Sequence, residues 1–214
     1  KSCNGYFIRL GQELGPERVQ EMAVRLGFGR ALNLADTLST AAGQLPEAET
    51  LTSSGAFANF CFGQGELLAT PIQIAATMNT IAAGGIWREP LFLECTLDEA
   101  TGEPLTALAH RSARRVFSAQ TARALRELLA SVVTEGTGHE AAPTEGTAAG
   151  KTGTAQTGQF AAGKELKNYW FAGFYPARNP RYTIVVLQDG QTGPARTSAA
   201  IFARVCDALD AAGE

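Results

Sequence analysis

The stretch Ala149-Gly150-Lys151-Thr152-Gly153-Thr154-Ala155-Gln156-Thr157 leaves the backbone little choice. Small and β-branched residues alternate, which is the composition of a strand, and a turn cluster is expected at Gly158. Strand side chains alternate with period two, so Thr152 and Thr154 share a face. Glycines flank Lys151, so no side-chain bulk stands beside it and a second backbone can lie close along this edge. A cation, two hydroxyls and an open edge are what is needed to hold a peptide that ends in a carboxylate. An ordinary strand with a solvated lysine has the same local sequence, so the motif needs support from elsewhere in the chain.

The rest of the chain reads as one domain or most of one. With 45% hydrophobic and 18% charged residues among 214, it has the apolar content of a globular core. A net charge of −3 gives no basic footprint, so a nucleic-acid partner is not expected. There is no run of 18 apolar residues and no signal-peptide pattern at the start. Lys1-Ser2-Cys3-Asn4 runs straight into a helical pattern, which reads as a cut inside a domain. Cys3, Cys61, Cys95 and Cys206 have neither metal-ligand nor redox spacing and read as small hydrophobes. Cys3 is expected to point into the protein as packing. His110 and His139 stand outside any motif, which argues against a Ser-His-Asp site and a zinc site.

Hydrophobic spacing and cap residues predict the order of elements. Ser2 or Asn4 can cap a first helix through Tyr6, Phe7, Leu10 and Leu14, broken at Gly15-Pro16. A second helix is expected from Glu17 to Leu26, with Val19, Met22, Ala23 and Leu26 inward. Residues Arg30 to Phe60 show little periodicity and read as a long irregular connection. Gly63-Gln64-Gly65 is a turn, and Thr70 with Pro71 starts a nearly uncharged, buried helix that runs to Gly84-Gly85. Leu91 to Leu97 reads as a strand that turns at Thr101-Gly102 into Pro104 to Leu108. Ser118 caps a helix from Ala119 to Glu135 with Ala122, Leu125, Leu128, Leu129, Val132 and Val133 on one face. A glycine- and threonine-rich loop spans Gly136 to Gly146. Strands are expected at Asn168 to Tyr175 and Tyr182 to Gln188, the latter apolar enough to be covered on both faces. With the Lys151 strand they form an antiparallel meander. Thr197 or Ser198 starts a last helix, with Ile201, Phe202, Val205 and Leu209 toward the sheet. The fold class is α/β of the α+β type, an antiparallel sheet covered by helices.

Two short motifs combine: Ser2-Cys3-Asn4 is Ser-x-Asn, and Lys151-Thr152-Gly153 is Lys-Thr-Gly. In this order they resemble the motif pair known from the transpeptidase domain of penicillin-binding proteins. The likeness extends to Phe62-Gly63-Gln64-Gly65, to Ala69 through Ala75, to Gly136-Thr137-Gly138 and to Trp170-Phe171-Ala172-Gly173-Phe174, and so covers essentially the whole chain. The long gap between the motifs and the Gly-Gln-Gly segment look more like the monofunctional, class B members than like serine β-lactamases of the same fold. One feature departs from the family. Its nucleophile lies in a Ser-x-x-Lys motif, and none of Lys1, Lys151, Lys164 or Lys167 has a serine three positions before it. Residues 1–214 are therefore read as the C-terminal part of one transpeptidase domain, its first strands missing, from a truncated or cleaved chain.

The resemblance implies serine acyl transfer on D-Ala-D-Ala stem peptides of peptidoglycan, and acylation by β-lactams of the same serine. Ser2 would relay a proton to the leaving nitrogen and Asn4 would hydrogen-bond the substrate amide. Lys151, Thr152 and Thr154 would bind the terminal carboxylate, with the Thr154 N–H as half of the oxyanion hole, and Gly153 would let the substrate backbone lie along the strand. Gln156 and Thr157 are expected to line the cleft, and Trp170 the core or the cleft wall. No nucleophile belongs to this chain, which alone is expected to be inactive. No metal or organic cofactor is implied. By the same resemblance, the protein carrying this chain is membrane-anchored through an N-terminal region and works at the outer face of the cytoplasmic membrane. The alternatives are a serine β-lactamase or β-lactam-sensor relative, and a non-catalytic scaffold fragment. The Tyr182 to Gln188 strand is expected to be an unpaired apolar edge through which the chain self-associates.

Overall fold

A computed structural model describes residues 2–35, 37–51, 53–93, 95–107 and 113–213. Helices α1 (Asn4–Leu14) and α2 (Pro16–Arg25) open the chain, separated by Gly15 at φ 87° with Pro16 starting α2. Neither Ser2 nor Asn4 caps α1. Cys3 holds the cap position without a side-chain bond, and Asn4 is already helical. Cys3 is exposed rather than packed, because its neighbours point into a cleft and leave it on the outside. The apolar spacing of α1 is present, yet Tyr6, Phe7, Leu10 and Leu14 are exposed and only Gly11 is buried. In α2, Val19 and Ala23 pack inward while Met22 does not.

The 30–60 segment is more regular than its sequence promises. It holds strands β1 (Asn33–Ala35) and β2 (Leu38–Ser39), a 3-10 turn at Ala48–Thr50 and helix α3 (Ser54–Cys61). The Ala56 N–H donates to Ser53 Oγ at 3.1 Å and caps α3. Eight residues are too few for a helical period to be legible, so α3 escapes a pattern reading. Helix α4 (Pro71–Ala82) starts as expected. Thr70 and Gln73 form a reciprocal capping box, and only Pro71 among its residues is exposed.

Strands β3 (Ile86–Arg88), β4 (Cys95–Leu97), β5 (Pro104–Ala107) and β6 (Ala113–Arg115) form two small antiparallel pairs, β3 with β6 and β4 with β5. The strand expected from Leu91 begins only at Cys95, and the β3–β6 pair has no signal in the sequence. Leu108 and His110 lie outside the described residues. Helix α5 (Ala119–Thr134) is capped by Ser118, which accepts from Thr121 N–H at 3.0 Å. Leu128 is 63% exposed, off the buried stripe that Ala122 and Val133 define. The following loop contains a 3-10 turn at His139–Ala141.

Strands β7 (Ala149–Ala161), β8 (Lys164–Tyr175) and β9 (Tyr182–Gln191) form the antiparallel meander in the order β7-β8-β9. The turn is not at Gly158. That glycine, at φ 69°, sits in a bulge between Gln156 and Phe160. The hairpin closes at Ala162 and Gly163, both with positive φ, as a two-residue turn requires. Helix α6 (Ser198–Ala211) is capped by Thr197.

β8 divides the core. Phe171 and Tyr175 face α6 and pack with Phe202 and Cys206, while Phe174 faces α4 and α5 among Ile81, Ala82, Leu129 and Ala130. Helix α4 also packs on β9, so β9 is covered on both faces as its apolar run requires. On α6 the sheet-facing residues are Ala199, Phe202, Ala203 and Cys206; Val205 turns aside and is exposed. Tyr175 donates to Asp210 at 2.6 Å, and that bond pushes its phenol up to about 12.

Gln73 ties the 27–42 segment to α4. Its buried amide donates to the carbonyls of Gly27 (3.3 Å), Arg30 (3.1 Å) and Ala42 (2.9 Å), and its oxygen accepts from Thr70 N–H at 2.8 Å. Replacing it by leucine strands these groups in the interior at ~1–3 kcal/mol each. Gln73→Leu is therefore expected to lower stability by at least ~3 kcal/mol in chemical denaturation. A loss below ~1 kcal/mol would show that water reaches those carbonyls.

Candidate active site

The edge of β7 that does not face β8 is free of strand partners among the described residues. Against it stand the N-terminus of α1, the end of α3 and the Gly63-Gln64-Gly65 turn. Together they enclose a cleft of about 630 Å³ lined by Ser2, Asn4, Phe7, Cys61, Phe62, Gln64, the Lys151–Thr154 run, Gln156 and Lys167.

Lys151 is the centre of the polar contacts. Its ammonium donates to Ser2 Oγ at 2.5 Å, to its neighbour Thr152's carbonyl at 2.9 Å and to Thr152 Oγ1 at 3.1 Å, which uses all three of its N–H bonds. Burial holds the amine below the usual lysine range, because desolvation disfavours the charged form. The buried ammonium therefore gives up a proton more readily than a solvated lysine does. Thr152 and Thr154 lie on the opposite face of β7 from Lys151, where Thr137 Oγ1 lies 3.4 Å from Thr152 Oγ1. Asn4 lines the same cleft from the first turn of α1.

Of the glycines around Lys151, Gly150 does different work from that expected. A Cβ on Gly150 would lie 2.5 Å from the Phe171 ring, so Gly150 admits a cross-strand aromatic rather than a ligand. Gly153, where a Cβ would meet Trp170 Cβ at 3.3 Å, lies on the cleft. Gln156 lines the cleft, whereas the Thr157 hydroxyl is turned to the Leu166 carbonyl at 2.6 Å. Trp170 lines a second cavity of about 400 Å³ behind β7, with Phe28, Leu67, Ile74 and Met78.

Several contributors had no assigned role from sequence. Gln64 donates to the Thr154 carbonyl at 3.1 Å and so clamps the turn onto β7. Its one signal was the Gly-Gln-Gly turn that presents it. Phe7, Phe62 and Lys167 join the cleft through contacts far apart in sequence. Gly11 is as important, because α1 crosses α3 where a Cβ would fall 2.2 Å from Cys61 Sγ. This close approach sets Ser2 and Asn4 against β7.

A sheet edge with Lys-Thr-Gly is thus faced by Ser-x-Asn at a helix start, the motif pair that resembles that of the penicillin-binding proteins. Comparison with known proteins agrees. The family model for the penicillin binding protein transpeptidase domain matches residues 1–207, and the chain belongs to that family. It is 37% identical over 199 residues to the penicillin-binding protein PbpB of Mycolicibacterium smegmatis, an alignment covering 88% of this chain and 30% of that protein. It is 33% identical over 195 residues to the stage V sporulation protein D of Bacillus subtilis, covering 90% of the chain and 29% of that protein. The crystal structure of penicillin binding protein 3 from Mycobacterium tuberculosis complexed with aztreonam superimposes with a TM-score of 0.85 at 31% identity, covering 100% of this chain and 50% of that one. The chain thus spans about 30% of the first curated relatives it matches.

Gly11→Ala is expected to push α1 off α3, at a stability cost of ~1–3 kcal/mol, and to break the Ser2–Lys151 contact. A crystal structure of the variant with that contact unchanged would refute this seating of α1.

Proposed function

We propose that this chain is the C-terminal part of the transpeptidase domain of a peptidoglycan D,D-transpeptidase of the monofunctional, class B type. The observation that carries the reading is the 2.5 Å contact between Ser2 Oγ and Lys151 Nζ across the cleft, beside Asn4. In this reading a serine outside the chain attacks the D-Ala-D-Ala peptide bond, and β-lactams acylate that same serine. A hydroxyl is a weak nucleophile that needs an adjacent base, and no Ser-x-x-Lys occurs in these 214 residues.

The roles are those that the family resemblance implies. Ser2 passes a proton to the leaving nitrogen through its contact with Lys151. Asn4 orients the substrate's amide. Thr152 and Thr154 hold the terminal carboxylate by hydrogen bonds, and the Lys151 ammonium favours it by its charge, exchanging its Thr152 contact for the carboxylate when substrate binds. Thr154 N–H supplies half of the oxyanion hole, worth about 2.7–4 kcal/mol of barrier. Gly153 keeps the strand edge open to the substrate backbone. By family likeness, the full protein works at the outer face of the cytoplasmic membrane and is membrane-anchored. No helix among the described residues is long and apolar enough to span a membrane.

Fluorescent penicillin tests the reading. The 214-residue chain alone is expected to carry no covalent adduct by intact mass, and the full-length protein one per molecule. In the full-length protein Ser2→Ala is expected to slow acylation by ~10²–10⁴. A stoichiometric adduct on the short chain would move the nucleophile inside it and undo this assignment of roles.

β9 pairs only with β8 among the described residues, and its Ile184–Leu187 run is apolar. Such an edge recruits another strand. Sedimentation of the isolated chain should show mass rising with concentration, and a monomer at every concentration would count against it.

A further inference from the structure

The cleft holds a second cation that acyl transfer itself does not use. Lys167, on β8, stands directly opposite Gln156 of β7 and lines the cleft with it. Its side chain is half-buried. Its ammonium has neither an ion pair nor a hydrogen bond among the described residues, where the single ion pair is Arg9–Glu13. No carboxylate among the described residues lines the cleft. Glu165, two positions earlier on the same face of β8, is engaged by the Gln156 amide at 3.0 Å. Lys151, by contrast, has every N–H bond committed at the other end. One end of the cleft therefore has a lysine whose N–H bonds are all used, and the other a lysine with no partner among the described residues.

The strand register gives the spacing. Pairing with Gln156 puts Lys167 on the face of the sheet that carries Thr152 and Thr154. Thr154 pairs with Tyr169, so Lys167 is its diagonal neighbour, ~7–8 Å away, and Thr152 lies two strand positions further. A ligand that touches both the threonine pair and Lys167 thus has two anionic groups roughly 8–14 Å apart. An extended peptide advances ~3.3–3.6 Å per residue. Laid along the edge of β7 with its C-terminus at Thr152 and Thr154, it brings the third residue from its C-terminus beside Gln156 and Lys167.

We propose that Lys167 is a specificity-determining residue that selects peptides bearing a free carboxylate on the side chain of the third residue from the C-terminus. The inference rests on the acyl-transfer reading and deepens it. Gln156, which lines the cleft beside Lys167, donates to Glu165 and keeps that carboxylate engaged. The ammonium is reachable by solvent, so the preference shrinks as salt rises.

The test uses the full-length protein carrying this chain and two peptides ending in D-Ala-D-Ala. They differ only in whether the side chain of the third residue from the end is a free acid or its amide. Wild type is expected to turn over the free acid with a kcat/KM about five- to tenfold higher. Lys167→Met keeps the aliphatic stem and is expected to bring the ratio near one, Lys167→Glu to invert it, and Lys167→Arg to keep it. Penicillin acylation, which involves no third residue, reports whether each variant still folds and acylates. No preference in wild type, or one that survives in Lys167→Met, with normal penicillin acylation, overturns the role of Lys167 and leaves acyl transfer standing. Neither acylation nor turnover by wild type overturns the acyl-transfer reading and this inference with it.

Discussion

β8 is the strand on which the rest of the structure depends. It is paired on both sides, to β7 and to β9, so every other residue can commit to one of two cores without leaving the backbone unsatisfied. Phe171 and Tyr175 go to the α6 side, Phe174 to the side of α4 and α5. The T-shaped contact of Phe171 with Phe202, at 4.7 Å between ring centroids, fixes α6 against the sheet. With β8 immobilised in this way, β7 is held by one edge and presents the other. The site is the consequence of that asymmetry.

What closes the site is contributed from the far end of the chain. Gly11 lets α1 descend onto Cys61, Gln64 clamps its turn to the Thr154 carbonyl, and Gln73 holds the 27–42 segment to α4. None of these residues has chemistry of its own in the cleft's polar centre. Each sets the position of a neighbour, the kind of support that a functional site needs. The cleft that results is cationic and, among the described residues, free of lining carboxylates, with Lys151 saturated and Lys167 open.

Much of this was legible because its causes are local. The start signals at Thr70-Pro71, Ser118 and Thr197 place three helices, each confirmed by a side-chain cap bond. Alternation and short connections place the meander. The misreadings are equally local in origin. Gly158 has the look of a turn residue, yet a bulge uses the same positive φ, and the Thr157 hydroxyl bonding across to Leu166 carries the strand past it. Helix α3 is one eight-residue segment whose period cannot be seen. Leu128 and Val205 sit at helical spacing on stripes whose width only the packing partner decides.

The sequence by itself determined the family, the Ser-x-Asn and Lys-Thr-Gly motifs and the shared face of Thr152 and Thr154, because motif identity and strand period are properties of neighbouring residues. It also determined that no Ser-x-x-Lys exists in this chain. Only the tertiary structure decided that Ser2 reaches Lys151, that Gly150 serves Phe171 rather than a ligand, and that Lys167 enters the cleft. Those facts depend on strand register and on a helix crossing, where residues far apart in sequence meet at distances that no local pattern encodes.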